Sequence, residues 1–365
     1  MAFSTTSLVK DQLLEKLLAR VLNWEAADVA QRGGEYQAMA GLKYDEYGGY
    51  RAGEGFLENL TGWLGQMSTE DRQRAAEFVC NEMVFISTAE LDHLIETAYP
   101  DVIRPTLLRI AAARVGCEPW QLTRIQASDE FKKLHRQTLI LGLGDGAHID
   151  QLRRTSEFSN EQFYIAPEMA ESSAERMRDD LRKALDDEEA LFEHVVLVDD
   201  FSASGVTMMR PKDGGSFAGR LVKAKEQLDR LTDVAVVAEP NVSVLLYCAS
   251  ETALDHIKQL LGQVGWSWQL KAIQVLPSSL RVEDSILLEM CEKYFDERLL
   301  EQLGVHIEVA DGDVRHGFGG GRLPVVLSHN TPNNSISLLW ADTRHMGGSQ
   351  RGLFPRRHRH NAERP

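Results

Sequence analysis

His194-Val195-Val196-Leu197-Val198-Asp199-Asp200-Phe201-Ser202-Ala203-Ser204-Gly205-Val206-Thr207-Met208-Met209-Arg210 is the stretch whose reading decides the fold. Val195 to Val198 form a short apolar run, the pattern of a strand buried on both faces of a parallel sheet, and two carboxylates follow it directly. In open α/β sheets ligands bind beyond the carboxyl ends of the strands, and at that place this chain puts small residues, hydroxyls and a glycine. Ser202, Ala203, Ser204, Gly205, Val206 and Thr207 can offer a phosphate several backbone N–H donors and three hydroxyls, with Gly205 permitting close approach. Asp199 and Asp200 can accept hydrogen bonds from neighbouring ribose hydroxyls, or hold a magnesium ion, in part through its waters. Each half of the stretch therefore suits one end of a sugar phosphate.

Moving outward, strands and helices alternate. Thr138 to Leu143 reads as a strand and runs into Gly144-Asp145-Gly146-Ala147-His148-Ile149-Asp150, with Arg153 and Arg154 close behind. A glycine-rich turn at a strand end, followed by two guanidinium groups, can hold an anion; its plainer reading is a strand-to-helix turn with an exposed arginine pair. Gln162 to Ala166 looks like a second strand, and Ser172 with Glu175 forms a capping box for a helix with Met177, Leu181, Ala184 and Leu185 inward. Pro211 to Gly215 is a turn-rich insertion before a helix bearing Leu221, Ala224, Leu228 and Leu231. Val242 to Cys248 is β-rich, Ser250 caps a helix, Leu270 to Leu276 alternates as a strand, and a helix runs from about Asp284 to Leu303, stopped at Gly304. The pattern predicts an α/β fold with a mostly parallel sheet and flanking helices.

On either side the texture differs. Residues 1–125 read as an N-terminal helical region: Leu13, Leu14, Leu17, Leu18, Val21 and Leu22 share one helical face, and Ser87 with Glu90 makes a capping box. Between them Gly33, Gly34, Gly41, Gly48, Gly49, Gly53 and Gly55, mixed with Tyr36, Tyr44, Tyr47 and Tyr50, suggest an irregular connection packed by rings. Trp63 and Tyr44, Tyr47 and Tyr50 are expected in a core or interface. The α/β domain is expected over 126–310, completed by 311–365 with a glycine-rich loop, a strand at Leu323 to Ser328 and a basic tail from Arg351 to His360. The side-chain amides of Asn330, Asn333 and Asn334 suit a flat polar ring, or else an Asx turn around Pro332.

Composition narrows the classes. The 365 residues are 43% hydrophobic and 26% charged, enough for one large core or two moderate ones, and the net charge of −15 opposes broad adhesion to nucleic acid or anionic membrane. No apolar run nears the roughly 18 residues that span a bilayer and no leader stands at Met1 to Lys10, so a cytoplasmic protein without a membrane partner is expected. Cys80, Cys117, Cys248 and Cys291 lack metal spacing and are expected as reduced, buried thiols. A nucleotide P-loop, a complete dinucleotide fingerprint, H-E-x-x-H and G-x-S-x-G are all missing.

Val195 to Thr207 resembles the 5-phosphoribosyl 1-diphosphate (PRPP) binding motif of the type I phosphoribosyltransferases. The resemblance implies that Asp199 and Asp200 hold the ribose hydroxyls, that Ser202 to Thr207 hold the 5′-phosphate, and that Gly144 to Asp150 form the pyrophosphate loop. Phe85-Ile86-Ser87-Thr88-Ala89-Glu90, Asn330-Thr331-Pro332-Asn333-Asn334 before Leu338-Leu339-Trp340, and Leu353-Phe354-Pro355-Arg356-Arg357 make the whole chain look closer still to the PRTase-CE branch of bacterial conflict systems. This resemblance makes a magnesium-dependent phosphoribosyl transfer the expectation, with Phe318, Asn330, Asn333 and Asn334 as candidate acceptor contacts and a sensor of PRPP or a related ribose phosphate as the alternative. It also implies a retron-type antiphage effector whose partners are a reverse transcriptase and its RNA–DNA product (msDNA), with the basic tail as first choice for the nucleic-acid contact. The acceptor, the direction of reaction and assembly into a homo-oligomer stay open.

Overall fold

The alternating apolar runs become a parallel sheet in the computed structural model, which describes residues 5–165, 169–303 and 313–356. The strands are β1 (Val84–Ile86), β2 (Thr138–Gly142), β3 (Phe163–Ile165), β4 (Phe192–Ser202), β5 (Arg210–Lys212), β6 (Ser216–Ala218), β7 (Val236–Ser250), β8 (Gln269–Leu276) and β9 (Val325–Leu327). Five of them form one sheet in the order β3-β2-β4-β7-β8, with every neighbouring pair parallel. Counted along the chain, that is second, first, third, fourth, fifth, so the order reverses between β2 and β4. Connections leave these two strands in opposite directions, and a doubly wound sheet opens a crevice at that point.

Burial explains why the strands are apolar throughout. Leu139, Leu141, Val195, Leu197, Val242, Val244 and Leu246 share one core with Ala174, Met177 and Leu181, with Leu221, Ala224 and Leu228, and with Leu254, Ile257 and Leu261. The helices Glu171–Leu185, Arg220–Leu231 and Glu251–Gln263 therefore cover one face of the sheet. On the opposite face a small cavity is lined by His194, Val196, Ser243, Leu245 and Lys271 together with Val102, Ile103 and Thr106. Lys271 Nζ donates to Thr106 Oγ1 at 3.2 Å there. Both ring nitrogens of His194 are buried without partners among the described residues, and burial pushes this imidazole down to about 4.

Contacts divide the chain into two compact units, Leu91–Ser278 and Met1–Glu90 with Ser279–Pro365. This differs from the expected boundaries at 125 and 310, for two physical reasons. The segment around Val102 to Thr106 lines the sheet and so belongs with it. The C-terminal strand, in turn, does not join the five-stranded sheet: β9 pairs in parallel with β1, Val84 to Val325 through Ile86 to Leu327, inside the other unit. Val84 to Ile86 had offered no strand signal, because three residues are too few to show a period.

The core of this second unit gathers Trp63, Phe56, Tyr44, Tyr47, Phe85, Leu339 and Phe354. Trp63 Nε1 donates to Leu338 O at 2.8 Å and Trp340 Nε1 to Ser335 O at 2.8 Å, so both indoles bury their rings without stranding a donor. Several local expectations hold. Ser87 and Glu90 form the reciprocal capping box, and Ser250 Oγ accepts from Ala253 N at 3.0 Å. Others do not. The helix at Glu171 starts after Ala170, ahead of Ser172, so no capping box with Glu175 caps it. Gly33, Gly34 and Gly41 lie inside a helix, Ala26–Leu42, rather than in an irregular connection. Leu13 and Leu17 are exposed while Leu18 is buried, which narrows the apolar face of the first helix. The helix expected from Asp284 is two, Ser285–Lys293 and Arg298–Leu303; Gly304 lies outside the described residues, as does Ala166. All four cysteines are free thiols, but only Cys248 and Cys291 are buried: Cys117 is half-buried, and Cys80 is exposed and donates to Tyr36 Oη. Among the described residues no helix is long and apolar enough to cross a membrane.

Candidate functional site

The last residue of β2, Gly142, pairs with Val198, whereas β4 goes on to Ser202 with its other edge still paired to β7 through Ala249. Asp199 and Asp200 therefore lie inside β4, on the part that overhangs β2 at the reversal of strand order, and do not end the strand as the sequence suggested. Alternation sends their side chains to opposite faces of the sheet.

Asp200 meets the loop that follows β2. A Cβ built on Gly146 would stand 2.6 Å from Asp200 Oδ2, so only glycine lets this loop pass over the carboxylate. Ala147 N bonds Gly144 O at 3.1 Å to close a single 3-10 turn, and the buried Tyr247 hydroxyl on β7 donates to Ala147 O at 2.9 Å. Burial, then the charges of Asp200 and Asp199, raise the Tyr247 phenol far above its ordinary range, so it stays a donor.

Asp199 is 0% exposed, and its Oδ1 has no hydrogen-bond partner among the described residues. Oδ2 takes a short ion pair from Arg220 Nη1. Burial first and the neighbouring Asp200 charge second push this carboxyl up to about 7, with Arg220 pulling the other way.

The loop after β4 is held from behind by the helix Glu251–Gln263. Gly205 has φ +76, and a Cβ there would stand 2.8 Å from the His256 ring and 3.0 Å from Ala253 O. Ser250 Oγ donates to Ala203 O, His256 Nε2 donates to Met209 O at 2.8 Å, and Met208 N and Met209 N bond Gly205 O at 3.0 and 2.9 Å. The N–H groups of Gly205 and Thr207 carry no partner among the described residues. Ser202 is buried, Ser204 half-buried and Thr207 exposed.

The insertion after this loop is a β hairpin, β5 against β6, turning at Gly214 and Gly215. It leaves the loop-to-helix junction intact: Arg220 N bonds Thr207 O at 3.1 Å and Leu221 N bonds Met208 O at 3.0 Å. Gly219 makes that return, with φ +126 and only 2.5 Å between its would-be Cβ and Met208 O. Arg220 was not singled out from sequence. The signal was Gly219 immediately before a basic helix start, weak on its own.

Other expected contacts are distributed differently. Arg153 and Arg154 fall in the last turn of the helix Ile149–Thr155, roughly 6–8 Å along its axis from the loop, where Arg153 pairs with Asp150 at 3.2 Å and Arg154 is exposed. The side chain of Asp145 lies outside the described residues. Phe318, Asn330, Asn333 and Asn334 belong to the other compact unit and build their own loop. Asn334 Nδ2 donates to Phe318 O at 2.7 Å, Phe318 N to Asn333 O at 2.8 Å, and Asn330 exchanges backbone bonds of 3.1 Å with Leu327. Arg351 is half-buried, its guanidinium on Asn59 Oδ1 at 2.9 Å, and Arg357 to His360 lie outside the described residues. Glu292, Asp313 and His316 place ligand atoms within 4.8 Å of one another, but Arg315 already bonds both Asp313 oxygens, at 2.9 and 3.0 Å.

Compared with known proteins, residues 60–356 match the family model described as PRTase-CE. No curated protein and no solved structure gives a significant match.

Proposed function

Since the chain belongs to the PRTase-CE family, we propose that it binds PRPP with magnesium and transfers or consumes the phosphoribosyl group. The observation that carries this reading is the approach of Asp200 to Gly146 where the strand order reverses, with the Gly205 loop on the same strand end. Three recognition elements meet at this strand end: a glycine turn for an anion, Asp200 with the buried Asp199 beside it for the ribose hydroxyls, and a second glycine turn whose N–H groups are unpaired among the described residues for the 5′-phosphate. The all-oxygen donors of Asp199 and Asp200 suit magnesium, directly or through water, and the ion would neutralise charge on the leaving diphosphate. Catalysis would rest on positioning and on the two carboxylates facing positive charge as it develops at the anomeric carbon. No covalent nucleophile is needed.

Titration calorimetry tests this directly. PRPP is expected to bind in magnesium buffer and to stop binding when the ion is chelated; no heat in either buffer would remove the proposal. Gly146→Val, which drives a side chain into Asp200, is expected to weaken that binding at least about tenfold with the fold retained by circular dichroism. Incubation with a base and nucleotide panel, following pyrophosphate release, separates transferase from sensor: tight binding without release would favour sensing. Family membership also supports an effector of a bacterial antiphage system of the retron type, acting in the cytoplasm. Its partner would be a reverse transcriptase with an RNA–DNA product, and failure to co-purify with any nucleoprotein from its native host would count against that part.

A further inference from the structure

Arg220 is the guanidinium recorded against the loop after β2. The would-be Cβ of Gly144 lies 3.2 Å from its Cζ, 3.2 Å from Nη1 and 3.3 Å from Nη2. A point almost equally far from those three atoms sits over the face of the guanidinium plane, so the plane lies flat against the first glycine of the loop. Its edges are then left for hydrogen bonds. Of five N–H donors only one is engaged among the described residues, on Asp199, and the side chain is 33% exposed. The backbone fixes its root: Gly219 holds the turn and the first N–H of the helix is tied to Thr207 O at 3.1 Å, so Arg220 joins the loop after β4 to the loop after β2.

Electrostatics gives that placement a purpose. A diphosphate approaching this crevice faces the charge of Asp200, with the buried Asp199 held behind Arg220, while the arginines of the helix Ile149–Thr155 stand a turn or more away. Arg220 offers a planar donor edge beside the glycine turn, the geometry that favours bidentate recognition of phosphate. Resting on the PRPP reading above, we infer that Arg220 binds the diphosphate of the donor through its unpaired edge while its Nη1 keeps Asp199 in place. It is thereby the residue that distinguishes PRPP from ribose 5-phosphate.

The test compares the two ligands in magnesium buffer by calorimetry, using wild type, Arg220→Lys and Arg220→Gln, with inorganic pyrophosphate as a third probe. Lysine keeps a charge for Asp199 but loses the forked edge. Both variants are expected to lose more than tenfold in affinity for PRPP and pyrophosphate, whereas Arg220→Lys, which keeps a charge for Asp199, is expected to lose less than twofold for ribose 5-phosphate, that retained binding also reporting an intact fold. Equal losses for PRPP and ribose 5-phosphate would reduce Arg220 to a support for Asp199 and overturn the inference. So would unchanged PRPP affinity, with the PRPP reading left standing. Wild-type protein that binds none of the three overturns both.

Discussion

Asp199→Asn is expected to weaken magnesium-dependent PRPP binding at least about tenfold and, at pH 8, to make the protein more stable. The loss follows from removing an acceptor for a ribose hydroxyl or a metal-bound water. The gain follows from burial: the carboxyl, ordinarily at 3.8, stands at about 7 in the folded chain because its charged form is desolvated and faces Asp200. With the folded value raised, the native state binds the extra proton between those limits. Asp199 therefore contributes its full share of stability below about pH 4 and loses it as pH rises through 7. Asparagine does not titrate and can still accept from Arg220. Melting curves for wild type and variant should converge near pH 4 and separate most at pH 8, by an amount on the order of a few kcal/mol. A constant gap across that range would show that the buried charge is not what the substitution relieves.

His194 sets the shape of the variant's curve. Its imidazole is ordinarily at 6.5 and lowered to about 4 on folding, so its contribution is present above 6.5 and lost as pH falls through 4. In the wild type the two slopes oppose each other between pH 4 and 6.5. In Asp199→Asn the opposing slope is removed, and stability should climb more steeply over that interval than in the wild type, with the half-buried His135 imidazole, also lowered by burial, adding to the rise.

Phe354→Ala is the second large effect, expected to cost about 3–5 kcal/mol as a fall in the urea midpoint without a change in slope. The ring is fully buried, lies within 5.9 Å of Phe56 and 5.8 Å of Tyr50 in stacked geometry, and meets Tyr44, Tyr47 and Phe85 at 5.1–5.7 Å. Its backbone N–H bonds Leu339 O at 2.8 Å, so the segment Leu353-Phe354-Pro355 closes this core although it lies near the end of the chain. Phe354→Leu, which keeps most of the apolar volume, should recover the larger part of the loss. Equal destabilisation by both variants would mean that the loss does not come from the cavity.

Much of the sheet and half of the candidate site are legible in the sequence alone. Val195 to Val198 mark a strand buried on both faces, and Asp199, Asp200 and Gly205 mark a carboxylate pair and a tight turn next to it, because all of these signals sit within a dozen consecutive residues. Asp199 and Asp200 were nonetheless placed at the end of a strand that runs on to Ser202, since two acids look like a stop and only pairing with β7 shows that they are not. Arg153 and Arg154 stand close to the glycine turn in sequence, but the helix carries them away from the loop.

The sequence by itself determined the local chemistry: the apolar run at the heart of β4, the two carboxylates that follow it, and the glycine-bearing turn after them. Tertiary structure alone decided which distant groups complete that chemistry. Arg220 reaches Asp199 across 21 positions because a hairpin is looped out between them and Gly219 turns the helix back onto Thr207. Val325 to Leu327 joins Val84 to Ile86 rather than the main sheet, although it reads as a strand like the others. The physical reason is the same in both cases. Backbone preference and apolar period act over a few residues, whereas charge pairing and strand partners are settled by which surfaces the whole chain can bury together.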